Sequence, residues 1–359
     1  HEQEIKPYLP DHVILKRVYT KDLYLLQLES GSQFDGSFIK LLEKLPNIRI
    51  ARCNPVLPVV SGNETSPPFT SITSLIAYGA EHDFNLGELG LLYEQNRSGL
   101  DKEELISIMN DLVVLIEQSI QKGLQGTHYT DRILHQQSHL IKKAANSGRI
   151  INDTLFNDII QNVAAIMEAK SSLEVIVANP TAGSCGAVGG VLKAVADHQK
   201  TSREELLLAY FAAGIVGAYF AMGPGFSAEE HGCQVECGAS AGMAAAGIVQ
   251  MQGGTVEQAL GAASMAIQNM IGLVCDPIAD RVEAPCLGKN TSAAVNAYAS
   301  ATMSLSGFQH LIPLDQVIDT VGNVSRQMPT CVKCTGLGGL AITPAAKQIK
   351  ATLIRNIKS

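Results

Sequence analysis

Apolar residues return every three or four positions from Ser71 almost to the end of the chain, the spacing of one face of an α-helix. The pattern is plain in "SITSLIAYGAEHD", "NLGELGLLYEQN", "DKEELISIMNDLVVLIEQSIQKGL", "DTLFNDIIQNVAAIMEAKSS" and "TVEQALGAASMAIQNMIGLV". Asp101 and Thr255 stand where N-caps belong, and Glu104 follows Asp101 at the spacing of a capping box. The first 60 residues have another texture. "VILKRVYT" and "LYLLQLES" are β-prone, "FDGSFIKLLEKL" has a helical pattern, and "NIRIARC" alternates apolar with basic residues, which predicts a small β-β-α-β unit. Between the two textures, "NPVLPVVSGNETSPPF" collects four of the 14 prolines and reads as a linker. The expected organisation is mainly α: a small α+β segment over 1–60, a linker over 61–70 and a large all-α domain over 71–359.

The stretch from Leu206 to Ala228 carries no charge and is long enough to cross a membrane. Gly223-Pro224-Gly225 interrupts it, and neither a Lys/Arg excess nor an aromatic belt flanks it. A buried central helix, with no membrane partner, is the expectation. Composition agrees: 359 residues, 46% hydrophobic and 17% charged, describe a chain that builds a large core. With 32 glycines, abundant alanine and no tryptophan, that core should be packed from small residues. The net charge of −7 and the lack of any basic run argue against a nucleic-acid partner. The first residues, "HEQEIKPYLPDHVILKRVYT", show no secretory h-region and predict a cytoplasmic location.

Five stretches rich in Gly, Pro, Thr and Cys interrupt the helices: "NPTAGSCGAVGG" (179–190), "GPGFSAEEHGCQVEC" (223–237), "CDPIADRVEAPC" (275–286), "KNTS" (289–292) and "MPTCVKCTGLGGLAITP" (328–344). Small residues entering a helix leave backbone N–H groups free, so "TAGSCG" is either a simple turn or a cradle for a carboxylate. Eight cysteines are too few for a disulfide scaffold and point to free thiols, metal ligands or catalysis. Cys331 and Cys334 form a C-x-x-C without the second pair that zinc would need or the βαβ setting of a redox motif. Cys275 and Cys286 each lie beside a proline turn, a setting shared by iron–sulfur ligands and by ordinary buried thiols.

Taken together, "NPTAGSCG", "GCQVECGASAGMAAAGIVQMQGGTVEQ", "GLVCDPIADRVEAPC", the following "KN", and "MPT" before "TGLGGLAITP" resemble, in order, the motifs of the catalytic α domain of the iron–sulfur-dependent L-serine dehydratases. The resemblance runs from about Ser66 to Lys347 and includes the helical lead-in "SPPFTSITSLIAYGAEHDFNLGELGLLYEQN". It implies a helical catalytic domain holding a [4Fe-4S] cluster on three cysteines, here Cys233, Cys275 and Cys286, with the fourth iron open to a small amino-acid substrate as a Lewis acid. Cys185 and Cys237 are not among the implied ligands; Cys237 reads as a small buried side chain or an active-site thiol. The implied reaction eliminates water from L-serine and yields pyruvate and ammonia, without pyridoxal phosphate. The matching motifs imply substrate contacts at Thr181, Gly183, Ser184, Gly186, Ser227, Asn290 and Lys333; no catalytic base is identified.

The sequence departs from the family at three places. "GPGFSA" stands where Asn-Ala-Ser-Ile-Ser-Gly is usual and keeps only Ser227 of its polar residues. Lys333-Cys334-Thr335 replaces Arg-Glu-Thr. The Ser-Ser-His-Thr motif of the β domain is missing, which implies a β subunit as partner in a homo- or hetero-oligomer and leaves residues 1–60 as a regulatory remnant or an unrelated segment. Rival readings are a lyase for cysteine, threonine or another substituted amino acid, and a non-catalytic iron–sulfur sensor.

Overall fold

The computed structural model describes residues 5–9, 13–19, 24–29, 36–46, 50 and 68–358. The chain divides into two compact units, His1–Val59 and Val60–Ser359. In the first, β1 (Ile14–Tyr19) pairs antiparallel with β2 (Tyr24–Glu29), with Ile14 opposite Glu29 and Tyr19 opposite Tyr24. Helix α1 (Gly36–Glu43) follows, and its Phe38 and Leu42 form a small core with Ile5, against which Leu26 and Leu28 pack. The third strand expected at "NIRIARC" falls outside the described residues except for Ile50, which belongs to no element. Residues 61–67 of the expected linker also lie outside them.

The second unit is helical, so the protein is mainly α. Helices α2 (Ile72–His82), α3 (Leu86–Ser98), α4 (Lys102–Gln125), α5 (Ser138–Asn146) and α6 (Thr154–Ser171) precede α7 (Cys185–Gln199) and α8 (Arg203–Met222). A one-turn α9 (Ala228–His231) leads to α10 (Cys237–Met251), then α11 (Val256–Gln268), α12 (Cys286–Leu305), α13 (Leu314–Gln327) and α14 (Pro344–Lys358). Reciprocal capping boxes start several of them: Ser71 with Ser74, Asn85 with Glu88, Asp101 with Glu104, Ser202 with Glu205, and Thr255 with Gln258. Each satisfies two otherwise unpaired groups, and a good N-cap is worth about 1 kcal/mol.

Helix α10 is the axis of the unit. Thirteen of its 15 residues are buried, and it packs on α7, α8, α11 and α12. Its glycines and alanines have no long side chains to hold neighbours away, which lets four helices surround it. Helix α8 has the length and composition of a membrane span, but 67% of its apolar window is buried within the protein. It packs against α3 and α10 and is capped by Ser202, as a central core helix. The apolar run from Thr255 predicts one helix to Val274, yet α11 ends at Gln268. Gly272 then takes φ +83° and gives its N–H to Gln234 Oε1 at 2.9 Å, so residues 269–274 are spent on bringing Cys275 to the site.

Candidate active site

Four of the five helix-interrupting stretches meet at one cleft of about 330 Å³, a size suited to a small ligand. Thr181, Ala182 and Gly183 line it from the turn that leads into α7, Ala228 and Glu229 from α9, and Phe226 and Glu236 from either side of α9. Cys275, Pro277, Val282 and Cys286 come from the loop before α12, and Cys334 from the last loop. Cys233 Sγ, Cys275 Sγ and a Glu236 carboxylate oxygen lie within 4.8 Å of one another. Cys233 and Cys334 pack against Cys275.

Several buried polar groups hold these thiols. Gly232, at φ +75°, precedes Cys233, and a Cβ there would meet Leu273 O at 2.9 Å, so the glycine permits the two loops to touch. Gln234, fully buried, donates to His231 O at 2.9 Å and accepts from Gly272 N–H, fixing the loops on either side of Cys233. Lys289 Nζ donates to Val274 O at 2.7 Å and to Asp276 Oδ1 at 2.6 Å, while Asp276 Oδ2 accepts from Leu340 N–H at 2.9 Å. Cys275 therefore sits between a buried ion pair and a backbone bridge, in which its N–H donates to Val332 O at 2.8 Å and its carbonyl accepts from Cys334 N–H at 2.9 Å.

Burial pushes the Cys286 thiol up to about 11, with Lys170 and Lys289 pulling the other way. Cys275 is raised too, first by its hydrogen bond with Cys233 and then by burial. Without a metal these groups hold their protons, and a metal would displace them. Burial works against the Lys289 charge, but Cys233 and Asp276 outweigh it and hold the ammonium above its usual range. Burial lowers Lys170, while Cys185 and Cys286 oppose that shift. Clustered thiols with two ammonium groups nearby suit a thiolate-bound metal centre, because the cations offset the charge that builds up as protons leave. Cys286 is also the first residue of α12, where the helix dipole favours a thiolate.

Residues 60–341 match the family model described as serine dehydratase alpha chain. The chain belongs to the serine dehydratase alpha chain family. It is 35% identical over 282 residues to the probable L-serine dehydratase alpha chain of Bacillus subtilis, covering 79% of this chain and 94% of that one. It is 33% identical over 276 residues to the L-serine dehydratase alpha chain of Peptoniphilus asaccharolyticus, covering 77% and 94%. Against L-serine dehydratase 1 of Escherichia coli it is 32% identical over 293 residues, with 79% of this chain matching 64% of the relative.

Within this chain, the residues singled out from sequence occupy two layers. Thr181 and Gly183 line the cleft, and Cys275 and Cys286 with them. Ser184, Gly186 and Asn290 are buried behind its wall. Ser184 closes a capping box with Thr181, and Asn290 accepts from Gly186 N–H at 3.0 Å while donating to Gly183 O at 2.8 Å. Ser227 bonds Glu229 beside the cleft, and Lys333 joins Cys275 through its backbone bridge. Cys185 and Cys237 are buried in the helical core. Glu236 carried no signal in the sequence. Its carboxylate accepts from Thr181 Oγ1 at 2.6 Å, and burial first, then Glu229, raises its carboxyl above the usual range. A Cβ at Gly183 would meet Glu236 Oε1 at 2.6 Å, so the "TAGSCG" turn already has a carboxylate of the protein against it.

The buried amide of Asn290 is expected to be a structural tie. Asn290→Leu leaves Gly183 O and Gly186 N–H without partners, at about 1–3 kcal/mol each. Denaturant unfolding should show a loss of several kcal/mol; a midpoint within error of wild type would remove the tie from this account.

Proposed function

We propose that this chain is the catalytic α subunit of an L-serine dehydratase, eliminating water from L-serine to give pyruvate and ammonia, with a [4Fe-4S] cluster on Cys233, Cys275 and Cys286. The observation that carries this reading is that Cys275 and Cys286 line one small cleft while Cys233, 42 positions before Cys275 in sequence, packs against Cys275. A bound cluster would supply a Lewis acid for the departing hydroxyl. The protein's own residues supply the rest of the setting. The turn from Asn179 to Gly183 is the place for the substrate carboxylate: it opens α7, and the buried Asn179 Nδ2 has no hydrogen-bond partner. Glu236 lies against that turn, where its carboxylate would meet the substrate ammonium. Phe226 and Ala228 add apolar surface to the lining of the cleft. A β subunit carrying the Ser-Ser-His-Thr motif completes the enzyme in this reading. Its support is that L-serine dehydratase 1 of Escherichia coli extends well beyond the matched part.

The test is anaerobic reconstitution with iron and sulfide, followed by assay of 2-oxo acid and ammonia across hydroxy- and thio-amino acids. L-Serine is expected to give both products in equal amounts, weakly with the chain alone and strongly with a β chain present. Full turnover by the isolated chain would remove the β subunit, and preference for a thio-amino acid would change the substrate. No elimination under any condition would leave a sensor role.

A further inference from the structure

The segment "GPGFSA" (223–228) leaves the family pattern everywhere except Ser227, and it brings an aromatic ring to the cleft. Helix α8 ends at Met222, and Gly225, at φ +75°, returns its N–H to Phe220 O at 2.9 Å. A Cβ added at Gly225 would meet nothing within 4 Å, so the glycine serves the left-handed turn itself rather than a close approach. That turn lays Phe226 on Phe220, with ring centroids 6.3 Å apart and planes 20° from parallel. Phe220 is fully buried, which gives the half-buried Phe226 a fixed support. The chain is held again just beyond the ring, where Ser227 O accepts from Glu230 N–H at 3.1 Å and from His231 N–H at 2.9 Å to start α9. Phe226 has the largest side chain in the lining of the cleft, beside the small Thr181, Ala182, Gly183 and Ala228. Ala228 packs against Cys233 and Cys275, so the segment that carries the ring also reaches those thiols.

We propose that Phe226 is a specificity-determining residue, whose ring fills the room that a substituent on the hydroxyl-bearing carbon of the substrate would need. This rests on the lyase reading above, in which the hydroxyl leaves at the thiols and a group on the same carbon must lie close by. The substrate class is thereby narrowed to amino acids with an unsubstituted β-carbon. A ring stacked on a buried neighbour and tied by backbone bonds on both sides cannot swing aside to admit a methyl group. Close-packed interiors resist such displacement, and one carbon too many in an apolar site is worth about 10- to 200-fold in kcat/KM. Isoleucine, usual at this position, is smaller than phenylalanine and would leave more space.

Two measurements on anaerobically reconstituted protein with its β chain test this. The first is kcat/KM for L-serine and L-threonine. Wild type should favour serine, and Phe226→Ile and Phe226→Ala should narrow the serine-to-threonine ratio by about ten-fold or more. The second needs no turnover: calorimetric dissociation constants for L-alanine, L-2-aminobutyrate and L-norvaline, which lack the hydroxyl and grow by one carbon each. Binding to wild type should weaken along the series, and in Phe226→Ala it should weaken less or strengthen. Equal losses for serine and threonine in both variants, with the same order of dissociation constants as wild type, would make the ring a structural support only and overturn its role in specificity. Wild type that uses threonine as well as serine would overturn it too. Wild type that binds the probes but turns over neither amino acid would overturn the lyase reading instead, and the probe series would still show whether Phe226 limits size.

Discussion

Anaerobically reconstituted Cys275→Ala, Cys286→Ala and Cys233→Ala are each expected to lack stably bound iron and the broad visible absorption of an iron–sulfur centre, and to lose activity with it. The loss should exceed the roughly 100-fold that removing an outer supporting group can cost at a metal site, because a direct ligand is missing. Cys331→Ala should keep the absorption, since that side chain is exposed and away from the cleft. Cys53→Ala is expected to keep it too, although Cys53 lies outside the described residues. Iron and sulfide analysis beside the optical spectrum checks each case. Wild-type iron content in the three variants would assign the centre to other residues.

The second large effect concerns stability. At Gly123 a Cβ would lie 2.0 Å from Ala165 O and 2.5 Å from its carbonyl carbon, so α4 rests directly on the backbone of α6. Gly123→Val therefore cannot be absorbed by rotating a side chain; the helices must separate. Overpacking of this kind typically costs about 1–3 kcal/mol and here should reach or exceed the upper end. Gly214→Ala in α8 is the control, because nothing lies within 4 Å of its added carbon, and there the helix should gain about 0.5–1 kcal/mol. Denaturant midpoints of the two variants should move in opposite directions. A Gly123→Val protein as stable as wild type would show that the α4–α6 contact is soft.

Local signals were legible where chemistry is local. Asp101 and Thr255 cap their helices as their side chains suggest, and Gly223-Pro224-Gly225 follows the end of α8 at Met222. The end of α11 was hidden, because residues 269–274 are as apolar as a helix face and only the long-range bond from Gly272 to Gln234 reveals their use as a loop. The site divides in the same way. Its cysteines stand out by motif, but Glu236, Gln234 and the Asp276–Lys289 pair act through partners distant in sequence, which no periodicity reports. Ser184, Gly186 and Asn290 share the motifs of the cleft, yet they are buried behind its wall, where they shape the turn that Thr181 and Gly183 present.

The bridge between Cys275 and residues 332–334, with the Asp276 carboxylate on Leu340 N–H, has a consequence for the order in which this protein matures. Hydrogen exchange at Cys275 and Leu340 should be coupled, since opening the last loop releases the backbone on both sides of Cys275. A metal captured by that cysteine then acts as a rivet. Part of its binding energy would become folding energy of the 330–340 segment, and the unloaded chain should be cut there more readily than the loaded one.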